Sequence, residues 1–171
     1  MKKLIAILFL IAILCTSAYL GNSILKNFER KKQVETDTKS LPIINFENLE
    51  GSKFYTQDLD LNKPSLILYF NPDCEHCQYE ARAIRDSLPR FAEVNVLLIS
   101  DEPIARLQAF AKEYDLAAQP NIHILYDGER NFKALFGTSL VPSIFIYNRQ
   151  QQLVKQFKGE TKMEAILKYL E

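Results

Sequence analysis

Two cysteines, Cys74 and Cys77, stand one helical turn apart in the run Asn71-Pro72-Asp73-Cys74-Glu75-His76-Cys77. The residues directly before this run, 66–70, form a continuous apolar stretch of strand length. A strand that ends at Asn-Pro and hands over to a helix beginning at Cys-x-x-Cys puts the first thiol at a helix N-terminus. There the unpaired backbone N–H groups and the positive end of the helix dipole favour thiolate over thiol. The thiolate is the attacking species in thiol–disulfide exchange, which is the chemistry this spacing serves. The neighbours of Cys74 are opposed in charge. A protonated His76 lowers the proton affinity of Cys74 and makes the pair more oxidising, whereas Glu75 and Asp73 act the other way. The two effects are similar in size, so the residues alone leave the redox direction open.

Composition narrows the alternatives. Lys plus Arg and Asp plus Glu each number 21 in 171 residues, so the net charge is zero and no broad basic face is available for nucleic acid. Three cysteines are too few for a disulfide-stapled scaffold, and one Cys-x-x-Cys lacks the second ligand pair of a structural zinc site. No resident metal or cofactor is expected. His123, the second of the two histidines, is the one candidate for a third copper ligand beside the cysteines, but Ile122-His123-Ile124 has the pattern of a strand.

The N-terminus carries an export signal: a short basic start, Met1-Lys2-Lys3, then an apolar run over residues 4–20 with no charge before Lys26. Three forms compete. Residues 4–25 are close to the roughly 20 needed to cross a bilayer as an uncleaved anchor. Cleavage after Ala18 is offered by Thr16-Ser17-Ala18. Lipidation of Cys15 is opposed by Leu14, which stands where a small residue is required. The anchor is the expectation, which makes the protein single-pass in the inner (cytoplasmic) membrane with its folded part on the periplasmic, extracytoplasmic side. Lys26 and Arg30-Lys31-Lys32 pull against that orientation. Residues 26–40 are mostly charged and polar, a solvated linker or a short helix stub, and residues 41–171 form the folded domain.

Within that domain, residues 43–46 and 54–55 flank a Gly-containing turn and predict a hairpin. Cys77, Ala81, Ile84, Leu88 and Phe91 recur at alternating intervals of four and three, the buried face of a helix. A strand is predicted over 94–99, a helix over 103–114, a strand over 122–126 and a short helix ending at Gly137. Two strands, 143–147 and 153–157, joined by a short polar turn, must run antiparallel. Thr161 with Glu164 has the spacing of a capping box for a last helix. Strands and helices in this order predict an α/β three-layer sandwich with a mixed central sheet.

The Cys-x-x-Cys motif behind a buried strand, together with Val141-Pro142-Ser143 ahead of a hydrophobic hairpin and a C-terminal helix, resembles the thioredoxin fold over about residues 41–171. More closely, it is similar to the membrane-tethered TlpA/ResA-like branch. The separation of Cys77 from Pro142 exceeds that of a minimal thioredoxin, and the strand and helix around residues 115–135 match that branch's inserted unit. The resemblance implies thiol–disulfide oxidoreductase activity, with Cys74 as nucleophile and Cys77 as the resolving thiol. Glu80 matches a glutamate that assists proton movement at the cysteines. Pro142 matches a cis-proline that leaves the Val141 backbone free to pair with an extended substrate segment. Implied partners are exported proteins bearing disulfides, apocytochromes among them, and a thiol electron donor. Two departures point to a narrower substrate range than thioredoxin's: Asp73 replaces the tryptophan before the first cysteine, and Leu68 replaces the buried acid. A copper-binding module and a thiol peroxidase are the alternatives, the second opposed by Asn71 where peroxidases of this fold carry threonine.

Overall fold

The computed structural model describes residues 2–170, and of the side chains those of residue 10 and residues 13–170. It divides into two units, Met1–Thr36 and Asp37–Glu171. The first is essentially one helix, α1 (Lys2–Asp37), so the polar stretch after residue 25 is helical rather than irregular. Leu10, Ile13, Leu14, Leu20, Ile24 and Leu25 stand exposed along it. Among the described residues no helix is long and apolar enough to cross a membrane. The expected anchor, residues 4–25, lies partly outside the described side chains.

The second unit is built on a seven-stranded sheet in the order β2-β1-β5-β4-β3-β6-β7. Its strands are β1 (Asn45–Glu47), β2 (Lys53–Tyr55), β3 (Ser65–Tyr69), β4 (Asn95–Ser100), β5 (Ile122–Tyr126), β6 (Ser143–Tyr147) and β7 (Leu153–Lys158). Strands β3, β4 and β5 are parallel, each joined to the next by a helix, α2 (Glu75–Asp86) and then α3 (Ile104–Glu113). The hairpin β1–β2 and the hairpin β6–β7 extend the sheet antiparallel on either side. The remaining helices are α4 (Phe132–Phe136) and α5 (Met163–Leu167).

Every residue of β3 and β4 is buried, which is why both read as unbroken apolar runs rather than alternating ones. Side-chain alternation splits them between two cores. Leu66, Leu68, Val96 and Leu98 pack with Ala81 and Ile84 of α2, Leu107 and Phe110 of α3, and Ile166 of α5. Ile67, Tyr69, Leu97 and Ile99 pack on the other face with Phe132 and Phe136 of α4 and with Phe145. The buried Asp127 carboxylate starts α4 by accepting the amides of Asn131 and Phe132, both at 2.8 Å. Gly137 ends it at φ 69°, the left-handed conformation a helix C-terminus favours in glycine.

Two expectations are corrected. Helix α2 stops at Asp86 although its apolar period continues. Residues Leu88–Phe91 form a separate 3-10 turn, because Pro89 cannot donate to a continuing helix, and Phe91 reaches the core from there. Thr161 does not cap α5, whose N-cap is Lys162 with no side-chain bond. The Thr161 hydroxyl donates to the Gly159 carbonyl, and its amide is engaged elsewhere.

Phe132 stacks on Tyr69 at 4.1 Å and on Phe136 at 4.3 Å between ring centroids, with no exposure. Its replacement by alanine is expected to destabilise the domain by about 3–5 kcal/mol. A urea titration checks this as a lowered midpoint at unchanged slope.

Candidate active site

Strand β3 delivers the motif. The Phe70 amide donates to the Ile99 carbonyl at 3.0 Å, holding the chain to β4 one residue past the end of β3. The next residues form a pinned turn: Asn71 Oδ1 accepts the Asp73 amide at 2.8 Å, and the Asn71 carbonyl accepts the Cys74 amide at 3.1 Å. Gln78 Nε2 closes the turn from the helix side on the Pro72 carbonyl at 2.9 Å. Cys74 is the N-cap of α2, its carbonyl accepting the amides of Cys77 and Gln78 at 2.9 and 3.0 Å. The thiol-bearing end of α2 is therefore set by backbone and amide groups rather than by the sulfurs.

The three cysteines, Cys15, Cys74 and Cys77, are free thiols. Cys74 is half-buried and Cys77 completely buried. Burial pushes the Cys77 thiol up to about 12, reinforced by Cys74 and Glu80 and opposed by the backbone of Asn71. The Val141 carbonyl lies 4.0 Å from Cys74 Sγ. These residues are 67 apart in the chain, and sheet register brings them together: β6 runs antiparallel to β3, and Ser143 at its start pairs with Tyr69 at the end of β3. The Val141–Pro142 bond is cis, and the Pro142 carbonyl accepts the Gly159 amide at 2.8 Å.

One turn beyond Cys77 on α2, Glu80 is also fully buried. Its Oε1 accepts the Thr161 amide at 2.6 Å, and its Oε2 is buried without a hydrogen-bond partner among the described residues. Burial raises the Glu80 carboxyl to about 7, with the Thr161 amide lowering it and the charge of Glu160 raising it. Glu160 in turn meets the motif, its Oε2 lying 2.8 Å from His76 Nδ1. On the opposite flank Arg106 of α3 pairs with Asp73 and, at 2.6 Å, with Glu102, whose other oxygen accepts Asn71 Nδ2 at 3.0 Å.

Of the residues expected at the site, Cys74, Cys77, Glu80, Val141 and Pro142 converge on one end of the sheet, with His76 on the rim and Glu75 exposed in the first turn of α2. His123 lies elsewhere: its ring packs 4.8 Å from that of Phe54 and borders a cavity lined by Asp58, Asn95 and Asn121, with neither cysteine in its wall. No group of three or more His, Cys, Asp or Glu side chains among the described residues could hold a metal ion. Sequence reasoning missed Thr161, Glu160 and Arg106 as partners of the motif. The first two are 81 and 84 residues from the groups they meet, and no local pattern links them.

The chain is a thiol–disulfide oxidoreductase of the thioredoxin fold, and it carries two free thiols of unequal burial at the head of a helix on its mixed sheet. More particularly, the chain belongs to the AhpC/TSA family, whose model matches residues 37–156. It is 23% identical over 173 residues to the thiol-disulfide oxidoreductase ResA of Bacillus cereus, covering 99% of this chain and 97% of that protein. Its fold is similar to that of Mycobacterium tuberculosis DsbF, with a TM-score of 0.66 at 18% identity over 78% of this chain and 94% of that one. A putative thioredoxin from Neisseria meningitidis gives a TM-score of 0.64 at 22% identity, covering 77% and 87% of the two chains.

The buried Glu80 makes stability depend on pH with a definite sign. Its folded-state value of about 7 lies above the ordinary 4.5, so between these values the folded protein holds a proton that the unfolded chain has released. The contribution is fully present below about 4.5 and is lost as pH rises through about 7, on the order of 3 kcal/mol in total. Urea midpoints measured from pH 4.5 to 8 are expected to fall across this window for the wild type, and the Glu80→Gln variant is expected to lack that component.

Proposed function

We propose that Cys74 and Cys77 carry out the exchange reaction as nucleophile and resolving thiol, and that the protein works as a reductase of disulfides in exported proteins. The two roles rest on the unequal burial of the thiols, with the more accessible one beside the Val141 carbonyl, and the reductive direction on the resemblance to the TlpA/ResA-like branch. Cys74, as thiolate, attacks one sulfur of a substrate disulfide. The substrate S–S bond breaks, a Cys74–substrate bond forms, and the departing substrate sulfur takes a proton from solvent. Cys77 then gives its proton to the Glu80 carboxylate and attacks Cys74 Sγ, forming the Cys74–Cys77 disulfide and releasing the second substrate sulfur, which takes a proton from solvent while Glu80 returns its own to solvent. The substrate gains two electrons and two protons. A dithiol donor returns the pair to the reduced state by the same exchange in reverse.

Glu80 suits the proton step on two counts. A thiol held near 12 does not ionise unaided at neutral pH, and an acceptor poised near 7 is matched to that range. The unpartnered Oε2 leaves one oxygen free to receive the proton. Val141 and Pro142 supply the edge against which an extended substrate segment lies, with the exposed Leu140 beside it. His76 and Glu75 modulate the pair from the rim.

The reading extends to location and partners. Residues 1–25 serve as the membrane anchor and residues 26–40 as a spacer, with the domain over 41–171 facing the extracytoplasmic, periplasmic side of the inner membrane. Apocytochromes, whose haem-binding cysteines must be reduced before attachment, are a fitting substrate class, and the relative named ResA is described as a thiol-disulfide oxidoreductase.

Two measurements test this. The Cys77→Ser variant is expected to accumulate mixed disulfides through Cys74 with exported proteins, seen on non-reducing gels. The Cys74→Ser variant is expected to trap none. If neither variant traps anything, exchange by this pair is rejected. The reduction potential of Cys74/Cys77, taken from glutathione titration, is expected near thioredoxin's, about −270 mV, whereas a value near about −120 mV would make the protein an oxidant.

A further inference from the structure

The loop between β7 and α5 makes three separate contacts with the active end of the molecule in three consecutive residues. The Gly159 amide donates to the Pro142 carbonyl at 2.8 Å, tying the loop to the cis-proline. Glu160 reaches His76, inside the Cys-x-x-Cys motif, at 2.8 Å. The Thr161 amide donates to Glu80 at 2.6 Å, beneath the cysteines. Glu160 is the one charged member of the three and is exposed, as is His76.

We propose that Glu160 is a positioning residue for the exchange reaction: seated on His76, it holds residues 159–161 across the head of α2, so that the charge on this exposed pair governs how readily the buried Glu80 takes the proton of Cys77. The inference rests on the assignment of the proton step to Glu80. The physical argument has two parts. Among the described residues Glu80 receives one hydrogen bond, from the amide that directly follows Glu160, so whatever seats Glu160 also sets that bond. A carboxylate at Glu160 is a like charge that opposes ionisation of Glu80, and its partner His76, whenever it carries a proton, offsets part of that charge. Glu80 in turn raises the proton affinity of Cys77 on its own helix, while the residues that α5 buries, Met163, Ile166 and Leu167, are apolar. His76 and Glu160 are thus the route by which charge at the rim reaches the buried proton acceptor.

Two substitutions separate this from a merely structural role. Glu160→Gln keeps an acceptor for His76 and removes the charge, so the Glu80 titration midpoint is expected to fall by about half a pH unit. His76→Asn leaves Glu160 charged and uncompensated and loosens the loop, so the midpoint is expected to rise by a similar amount. Both are read by NMR titration of carboxyl-¹³C-labelled glutamates, with Glu80→Gln identifying the signal. The pH profile for release of the second thiol from a Cys74 mixed disulfide with a model peptide is expected to move in the same directions. Shifts of one sign in both variants, or none in either, would overturn the proposal, since loosening alone acts the same way in each. Failure of the wild type to reduce the peptide would instead reject the exchange reading, and the carboxyl titration distinguishes the two because it is read on the protein without substrate.

Discussion

Glu80 is a carboxyl group with no access to solvent, and a carboxyl in that position stays protonated unless something donates to it. Among the described residues the donor is one backbone amide, that of Thr161, from a loop 81 residues further along the chain. For that bond to form, the segment after β7 must turn back across α2, and the adjacent contacts of Gly159 with Pro142 and Glu160 with His76 hold it there. The motif helix, the cis-proline and the entry to α5 are therefore fixed relative to one another around one buried oxygen. The same demand explains why Thr161 fails to cap α5: its amide is already bonded to Glu80 and its hydroxyl to Gly159.

The charges beside the cysteines look different in the fold than in the chain. Counted along the sequence, Asp73 and Glu75 oppose His76 over Cys74. In the structure Asp73 is paired with Arg106, which also binds Glu102, and His76 is paired with Glu160. Each member of these pairs is at least a quarter solvent-exposed or close to it, where ion pairs contribute little to stability. They act on geometry, and Glu160 also raises the proton affinity of Glu80. Arg106, Glu102 and Asn71 brace the turn that presents Cys74, and His76 with Glu160 braces the other side. Cys74 thereby stands between two braced flanks, while Cys77 behind it has its proton affinity raised chiefly by burial.

Much of this architecture was legible from the residues. The buried strand before the motif, the helix after it, the antiparallel pair at the C-terminus and the short helix ending at Gly137 all follow from periodicity and turn chemistry, which are local. The cis-proline beside the cysteines was implied by the resemblance of Val141-Pro142 ahead of a strand to the thioredoxin fold, and it is the antiparallel pairing of β6 with β3 that brings it there. The misreadings occurred where a local pattern competed with something non-local. The apolar period of α2 runs on to Phe91, yet Pro89 ends the helix and a 3-10 turn delivers Phe91 to the core instead. Thr161 and Glu164 have the spacing of a capping box, but a distant carboxylate claims the amide.

The sequence by itself determined the chemistry available: two thiols one turn apart, the strand and helix that carry them, and an acid at the next turn of the same face. These are properties of residue type and spacing within a few turns of chain, where i, i+3 neighbours must meet. Only the tertiary structure decided how those groups behave. Whether Cys77 holds its proton, whether Glu80 is charged near neutral pH and whether His76 meets a carboxylate depend on what covers each group. That cover comes from β6, from α3 and from the loop after β7, brought in by packing of the whole domain. Desolvation and hydrogen bonding act over a few ångströms of space, and the chain distances of 67 to 84 residues across this site put them beyond any local reading.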